Sequence, residues 1–321
     1  MATDFIDLGV GMLSHDSFID RVETIQKAAI DSYLVDRTLT DIEHNSRARL
    51  LRNGLMVVAF TSLEDFIRAR TKDLLDIISR TIVPFPQLPQ ALQEAATMGA
   101  MKSAKDRAQM AKSAGEDYLA LLREAASHVA STAGGSLQLS RFSLGYSGSN
   151  VSSSEISSIL TALNVQDAWN EMSTIAQRCG AGSMPLKPAY EQAMRLRHEA
   201  AHRPDANVQP WNLKDFCAQA LAIALGFDVL ASRAARLIRD GDSNILAGKI
   251  KVSTDLKLRF LDADPKGFIE RREGVARAIK ITKEEDVALK LSIANASKTQ
   301  EPLIRRDMSA LPIRWIITDV M

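Results

Sequence analysis

Residues 212–238, NLKDFCAQALAIALGFDVLASRAARLI, contain the pattern that decides the fold. Apolar side chains recur there every three or four positions, which is the spacing of one face of an α-helix. The turn-forming run GDSN at 241–244 follows the stretch. We therefore predict one long amphipathic helix whose apolar face is formed by Leu213, Phe216, Ala220, Ile223, Phe227 and Leu230.

The same helical spacing recurs upstream, in two segments between residues 17 and 80. The proline-rich run at 84–89 ends the second segment, because proline lacks the N–H donor that a helix needs. A further helix-rich stretch follows at about 90–130, and a glycine- and serine-rich loop at 143–154. Pro204 limits a short helix that is predicted to run from about Ala189 to His202.

Downstream of Gly248 the pattern changes to the alternation of a β-strand, beginning with Ile250 and Val252. Thr282 and Glu285 form a capping-box pattern ahead of a short helix, and the final LPIRWIITDV, from residue 311, has the composition of a strand. The sequence thus predicts a mainly α protein. A bundle with long antiparallel helices (1–245) precedes a small basic α/β C-terminal module (246–321).

The composition is that of a globular protein, with 46% hydrophobic and 25% charged residues. Only 5% are aromatic, which favours helices packed by aliphatic side chains. The two cysteines, Cys179 and Cys217, are too few for a disulfide framework and indicate a reducing compartment. The first residues, MATDFIDLGVGMLSHD, resemble neither a signal peptide nor a membrane span, so we expect a cytoplasmic protein.

One hexapeptide dominates the functional interpretation, RHEAAH at 197–202. Its last five residues match the zinc motif HExxH, in which two histidines lie on one helix face and a glutamate acts as base. The extended form of that motif fails at Asp205 and Val208, and no glutamate follows Glu199 before Glu270 to supply a third ligand. A zinc hydrolase therefore remains a minor alternative.

The same hexapeptide resembles the signature of the HEPN superfamily, which is Arg, then Asn, Asp or His, then three residues and a His. Arg197, His198 and His202 match it. The order of the flanking residues, Glu64 in an early helix and Asn150 in a loop, resembles the RiboL-PSP-HEPN group. The likeness extends over about 17–239 and implies a HEPN-type helical bundle.

The motif suits RNA cleavage without a metal or another cofactor. The fixed charge of the Arg197 guanidinium can bind a phosphate and stabilise the negative charge that builds up in the transition state. His202 can transfer a proton near neutral pH, with His198 assisting. Arg195 and Arg203 flank these residues, and we expect them to bind RNA phosphates.

The resemblance further implies a homodimer whose two motifs face each other, products with a 2′,3′-cyclic phosphate and a 5′-hydroxyl, and a role in toxin–antitoxin or antiphage defence with an antitoxin or another defence-system partner. A non-catalytic HEPN module that binds RNA, a nucleotide or a protein is the main alternative. Neither alternative involves a membrane.

Overall fold

The computed structural model describes residues 10–146, 150–275 and 277–318; Gly148 and Ser149 of the predicted loop lie outside them. The helices are α1 (Val10–Ala29), α2 (Ile42–Ile78), α3 (Gln90–Glu94), α4 (Ala100–Ser113), α5 (Tyr118–Ser131), α6 (Ser153–Ala162), α7 (Ala168–Cys179), α8 (Leu186–His202), α9 (Pro210–Arg239), α10 (Ser243–Leu246), α11 (Val252–Asp255) and α12 (Glu285–Thr299). The strands are β1 (Arg259–Asp264), β2 (Gly267–Arg272), β3 (Lys280–Thr282), β4 (Leu303–Arg306) and β5 (Pro312–Ile316).

Helix α9 forms the centre of the core. The helix predicted from residues 212–238 is confirmed, and every residue of its predicted apolar face is buried. From Ala222 to Ser232 burial extends all round the helix, since α1, α2, α7 and α8 pack against it. At Gly226 a Cβ atom would lie 2.7 Å from the carbonyl oxygen of Met172, so glycine allows α7 to pack directly on α9.

The expectation of antiparallel long helices is correct only in part. Helix α2 runs antiparallel to α1, because Phe18 packs on Phe66 whereas Leu34, which follows α1, bonds Arg52. Helix α2 is also antiparallel to α8, because Tyr190 packs on Phe60 whereas Val208, which follows α8, bonds Arg52. It runs parallel to α9, however, because its contacts follow the order Arg52 with Val208, Arg70 with Asp228 and Thr81 with Ile238. The chain reverses its direction between α2 and α8 and again between α8 and α9. Helices α2 and α9 therefore run in the same direction.

Helix α2 is 37 residues long. Of the face that its spacing predicts, Ser62 and Phe66 are buried. Leu51 and Val58 are 50% and 55% exposed. The polar Arg52 and Asn53 are buried instead, because they hydrogen-bond the chain at Ala206 to Val208.

No helix of the described ranges combines the length and apolar character that crossing a membrane requires.

The five strands form one sheet in the order β3-β2-β1-β4-β5, in which β1 and β4 are parallel and the other pairs antiparallel. Helix α12 crosses over one face and encloses a small apolar cluster with Leu261 and Leu303. A buried arginine, Arg259, pairs with both Glu270 and Glu301 between the strands and the end of α12. These ion pairs satisfy charges that the sheet would otherwise bury unpaired.

The predictions for the C-terminal region are partly wrong. The segment from Ile250 to Val252 is not a strand but leads into the short helix α11, and the first strand begins at Arg259. The capping box at Thr282 and Glu285 is absent, because α12 is capped at Glu284 without a side-chain hydrogen bond. The final strand is confirmed as β5.

A buried polar cluster joins the helices to the sheet. The Arg70 guanidinium on α2 donates from Nε to Asp228 Oδ1 on α9 at 2.5 Å, and Trp315 Nε1 on β5 donates to Asp228 Oδ2 at 2.9 Å. Ser232 bonds both partners of the ion pair. The ring of His15 on α1 packs 4.2 Å from that of Trp315. The Asp228 carboxylate thus connects α2, α9 and β5, and His15 of α1 packs against the same tryptophan.

Burial lowers the pKa of His15 from 6.5 to about 4; Asp228 opposes the shift, whereas Arg70 and Arg314 reinforce it. The pKa of Asp228 is also lowered: burial opposes its charge, but Arg70, His15 and the hydrogen bonds from Arg70 and Trp315 outweigh that effect. The folded protein therefore binds fewer protons at His15 than the unfolded chain between pH 6.5 and about 4.

This difference predicts that the free energy of unfolding decreases as the pH falls from 6.5 towards 4, by up to about 3 kcal/mol. Urea unfolding at several pH values measures it. His15→Gln should flatten the decrease in this window, whereas His128→Gln, on a partly buried histidine of α5, should retain it. Equal slopes in both variants would rule out His15 as the cause.

Candidate active site

Helix α8 positions the residues that the hexapeptide singled out. It begins at Leu186, three residues earlier than predicted, and ends at His202 as predicted. Its first turns bury Leu186, Ala189, Tyr190 and Ala193 in the core. Beyond these turns the helix becomes more exposed, so its last two turns present charged and imidazole side chains to solvent.

A pocket of about 270 Å³ lies along these last turns. Arg195, Arg197 and His198 line it, together with Phe60 of α2 and Asn150 of the loop before α6; the other lining residues are Met194 and Glu199. Three of the five residues predicted for the site are therefore brought together in one cavity.

The other two residues predicted for the site lie outside the lining. His202 is exposed, and its ring centroid is 4.7 Å from that of His198, one helical turn earlier. Arg203 follows the helix and forms an exposed ion pair with Asp205 at 3.3 Å. The two imidazoles thus form a pair at the pocket edge, whereas Arg203 points its charge towards its own loop.

Arg197 is half-buried and held at one end of its guanidinium. Its Nη2 donates to Asn150 Oδ1 at 3.2 Å. Among the described residues its Nε, which is buried, has no hydrogen-bond partner. The loop amide thus orients the guanidinium, which lines the pocket.

The loop that carries Asn150 is fixed from both sides at the next residue. Val151 N–H donates to the Glu64 carboxylate at 2.7 Å, and Val151 C=O accepts from the Tyr190 hydroxyl at 2.5 Å. Both partners are buried. Glu64 and Tyr190 therefore position Asn150, and through it Arg197, without lining the pocket.

The sequence identified only some of the residues that form and support the pocket. Glu64 and Asn150 entered through the family resemblance, while Tyr190 and Phe60 were not identified. Tyr190 precedes Arg197 by seven residues, which places both near the same side of α8, so its position was a usable signal. The place of Phe60 in the pocket was not predictable from the sequence, because it depends on the packing of α2 against α8.

The site is rich in cationic groups. Burial raises the pKa of Glu64, against the opposing effects of the Val151 N–H, Arg68 and Arg197. Arg195 and Arg197 add positive charge at the pocket. Such a site attracts a phosphate group, and paired imidazoles beside it can move protons.

Within residues 10–146, 150–275 and 277–318, no group of three or more His, Cys, Asp and Glu side chains is arranged to hold a metal ion. His198 and His202 are close together, but no third side chain of these types completes a set with them in that part of the chain.

No family model, curated protein or solved structure matches the chain.

The position of Glu64 yields a prediction on stability. Glu64→Gln keeps an acceptor for the Val151 N–H and removes a buried charge. At neutral pH the free energy of unfolding should therefore stay equal or increase slightly. Glu64→Leu leaves that N–H unsatisfied and should lower it by about 2 kcal/mol. Urea unfolding distinguishes the two variants. Equal losses would contradict the assigned hydrogen bond.

Proposed function

We propose that the protein is a metal-independent endoribonuclease of the HEPN type, with Arg197, His198 and His202 as its catalytic residues. The observation that carries the proposal is the shared location of the Arg197 guanidinium and the His198 imidazole in one open pocket, with the His202 ring beside it. Arg195 lines the same pocket and is the better placed of the two flanking arginines for binding phosphate.

The proposed reaction is an intramolecular transesterification. One imidazole takes the proton of the ribose 2′-hydroxyl, whose oxygen attacks the adjacent phosphorus. The bond from phosphorus to the 5′-oxygen breaks, and an imidazolium supplies the proton that this oxygen needs. Arg197 stabilises the charge on the phosphoryl oxygens. The products are a 2′,3′-cyclic phosphate and a 5′-hydroxyl.

His202 is the natural choice for the proton donor. It is the last residue of α8, where the helix dipole favours a positively charged side chain. It is also exposed, so a substrate can reach it. His198, which lines the pocket, is then the better placed base. This assignment makes His198 the general base, which is a more specific role than the assistance expected from the sequence.

We further propose that the active form is a homodimer. Because His202 lies outside the pocket that contains Arg197, a second copy facing the first would surround the phosphate more completely. Helix α2 offers an exposed apolar face, defined here as Leu50, Leu51, Gly54 and Val58, on which two copies could pack. The family resemblance supports a defence setting, toxin–antitoxin or antiphage, with a regulating partner.

RNA cleavage by the purified chain tests the proposed mechanism. The purified chain should cut single-stranded or structured RNA in the presence of EDTA, and Arg197→Ala or His202→Ala should lower the rate at least about 100-fold. His198→Ala should lower it as well. Arg80→Ala, which removes an exposed arginine at the far end of α2, serves as the matched control.

Gel analysis of labelled RNA gives the rates. If the chelator abolished cleavage, or if both alanine variants kept the wild-type rate, the mechanism would be wrong. RNA binding by the wild type without any turnover would instead favour the non-catalytic HEPN module.

The oligomeric state of the chain tests the proposed dimer. Light scattering should give a mass twice that of the 35.2 kDa chain. When the inactive Arg197→Ala and His202→Ala proteins are mixed, exchange of subunits should restore part of the activity. A mixed dimer retains one Arg197 and one His202 in its cleft. Leu51→Glu combined with Val58→Glu should abolish both the dimer and the restoration. A strict monomer that cleaves RNA would contradict the composite site.

A further inference from the structure

Glu199 is a charged residue of the pocket lining to which the proposed reaction gives no role. It directly follows His198 on α8 and is exposed. No hydrogen bond or ion pair engages its side chain within residues 10–146, 150–275 and 277–318. Its carboxylate is therefore open to a molecule that enters the pocket.

This carboxylate does not suit a pocket that binds phosphate alone. Arg195 and Arg197 supply the positive charge of the lining. Glu64 partly offsets Arg197 from behind, but it is buried and does not line the cavity. A second carboxylate, on the lining itself, weakens the attraction of the pocket for any anion. A ligand that carries N–H donors beside its phosphate turns the same carboxylate into a favourable contact.

The pocket also has an apolar side. Met194 is half-buried one turn before His198, and the buried Phe60 lies behind it as the floor. Unpaired RNA bases bind proteins through apolar contact with their flat faces and hydrogen bonds at their edges. The volume of about 270 Å³ is just below the range of sites for whole small molecules. A single nucleotide of an RNA strand is therefore an occupant of suitable size.

Among the four RNA bases, guanine matches a carboxylate best. Its N1–H and its 2-amino group are adjacent donors on one edge, so the two carboxylate oxygens can each accept one hydrogen bond. Adenine and cytosine place a ring-nitrogen acceptor beside their amino group, and uracil has one N–H between two carbonyl oxygens. Each of these three bases thus sets a lone pair against the carboxylate, which accepts but cannot donate.

The roles of the two histidines determine which nucleotide occupies the pocket. His198, the proposed general base for the 2′-hydroxyl, lines the cavity, whereas His202, the proposed proton donor to the leaving 5′-oxygen, lies outside the lining. The nucleotide that carries the attacking hydroxyl is therefore the one in the pocket, next to Glu199.

We propose that Glu199 selects guanine at this nucleotide, so that the protein cuts RNA on the 3′ side of guanosine. The inference rests on the proposed ribonuclease function and names its substrate class. Glu199 contacts the base and takes no part in proton transfer, so it determines specificity.

The test compares the affinities of three mononucleotides that cannot be cleaved, the 3′-monophosphates of guanosine, inosine and adenosine, by calorimetry. The wild type should bind the guanosine nucleotide at least about tenfold more tightly than the adenosine nucleotide. Inosine lacks the 2-amino group, so its nucleotide should bind with intermediate affinity.

Glu199→Gln should reduce the guanosine-to-adenosine affinity ratio to less than about threefold, because its amide presents one acceptor and a donor. The ratio is the readout, since loss of the negative charge changes the phosphate affinity of all three nucleotides alike. Asp215→Asn, which removes an exposed carboxylate from α9, is the matched control and should keep the wild-type ratio. Thermal melting verifies that both variants are folded.

A ratio near one in the wild type, or an unchanged ratio in folded Glu199→Gln, would overturn the inference. Sequencing of the ends from a random RNA pool separates it from the ribonuclease proposal. Equal cleavage after all four bases would overturn guanine selection and leave the ribonuclease intact. A Glu199-dependent preference for the guanosine nucleotide without any cleavage would support the guanine site and contradict the ribonuclease.

Discussion

The carboxylate of Asp228 is the constraint on which the rest of the structure depends. It lies in the centre of the most buried helix, and its two oxygens accept hydrogen bonds from Arg70 on α2 and Trp315 on β5. A buried charge without partners would strongly destabilise the fold, so these elements must meet at this point. The sheet therefore packs on the helical core through Trp315, and α2 is fixed in register with α9.

This register determines where the candidate chemistry lies. With α2 parallel to α9, helix α8 fills the space beside them in the opposite direction and projects its last turns to the surface. Tyr190 and Glu64 then hold the loop at Val151 from two helices. Two helices and a loop held by buried side chains thus support the pocket, and such support favours the defined geometry that acid–base chemistry needs.

The sequence predicted the elements better than their arrangement. The helices α1, α2 and α9 followed from apolar spacing, and α8 followed from the chain breaks around it, such as Pro204. The hexapeptide located the site because its residues are local. The parallel pairing of α2 and α9 was not predictable, because it depends on contacts such as that of Arg52 with Val208, 156 positions apart. The same contacts bury Arg52 and Asn53 of α2. Leu51 and Val58 are exposed, so hydrophobicity alone predicts the opposite burial at these four positions. A capping pattern at Thr282 failed because local motifs yield to the tertiary context.

The most direct measurement of the central claim is the mass of the products from one defined RNA oligonucleotide, together with a copy in which the ribose 5′ to the cut is replaced by 2′-deoxyribose. Attack by the 2′-hydroxyl predicts a fragment ending in a 2′,3′-cyclic phosphate, a partner with a 5′-hydroxyl, and no cleavage of the substituted copy. Fragments with a 3′-hydroxyl and a 5′-phosphate, or equal cleavage of both oligonucleotides, would contradict the account.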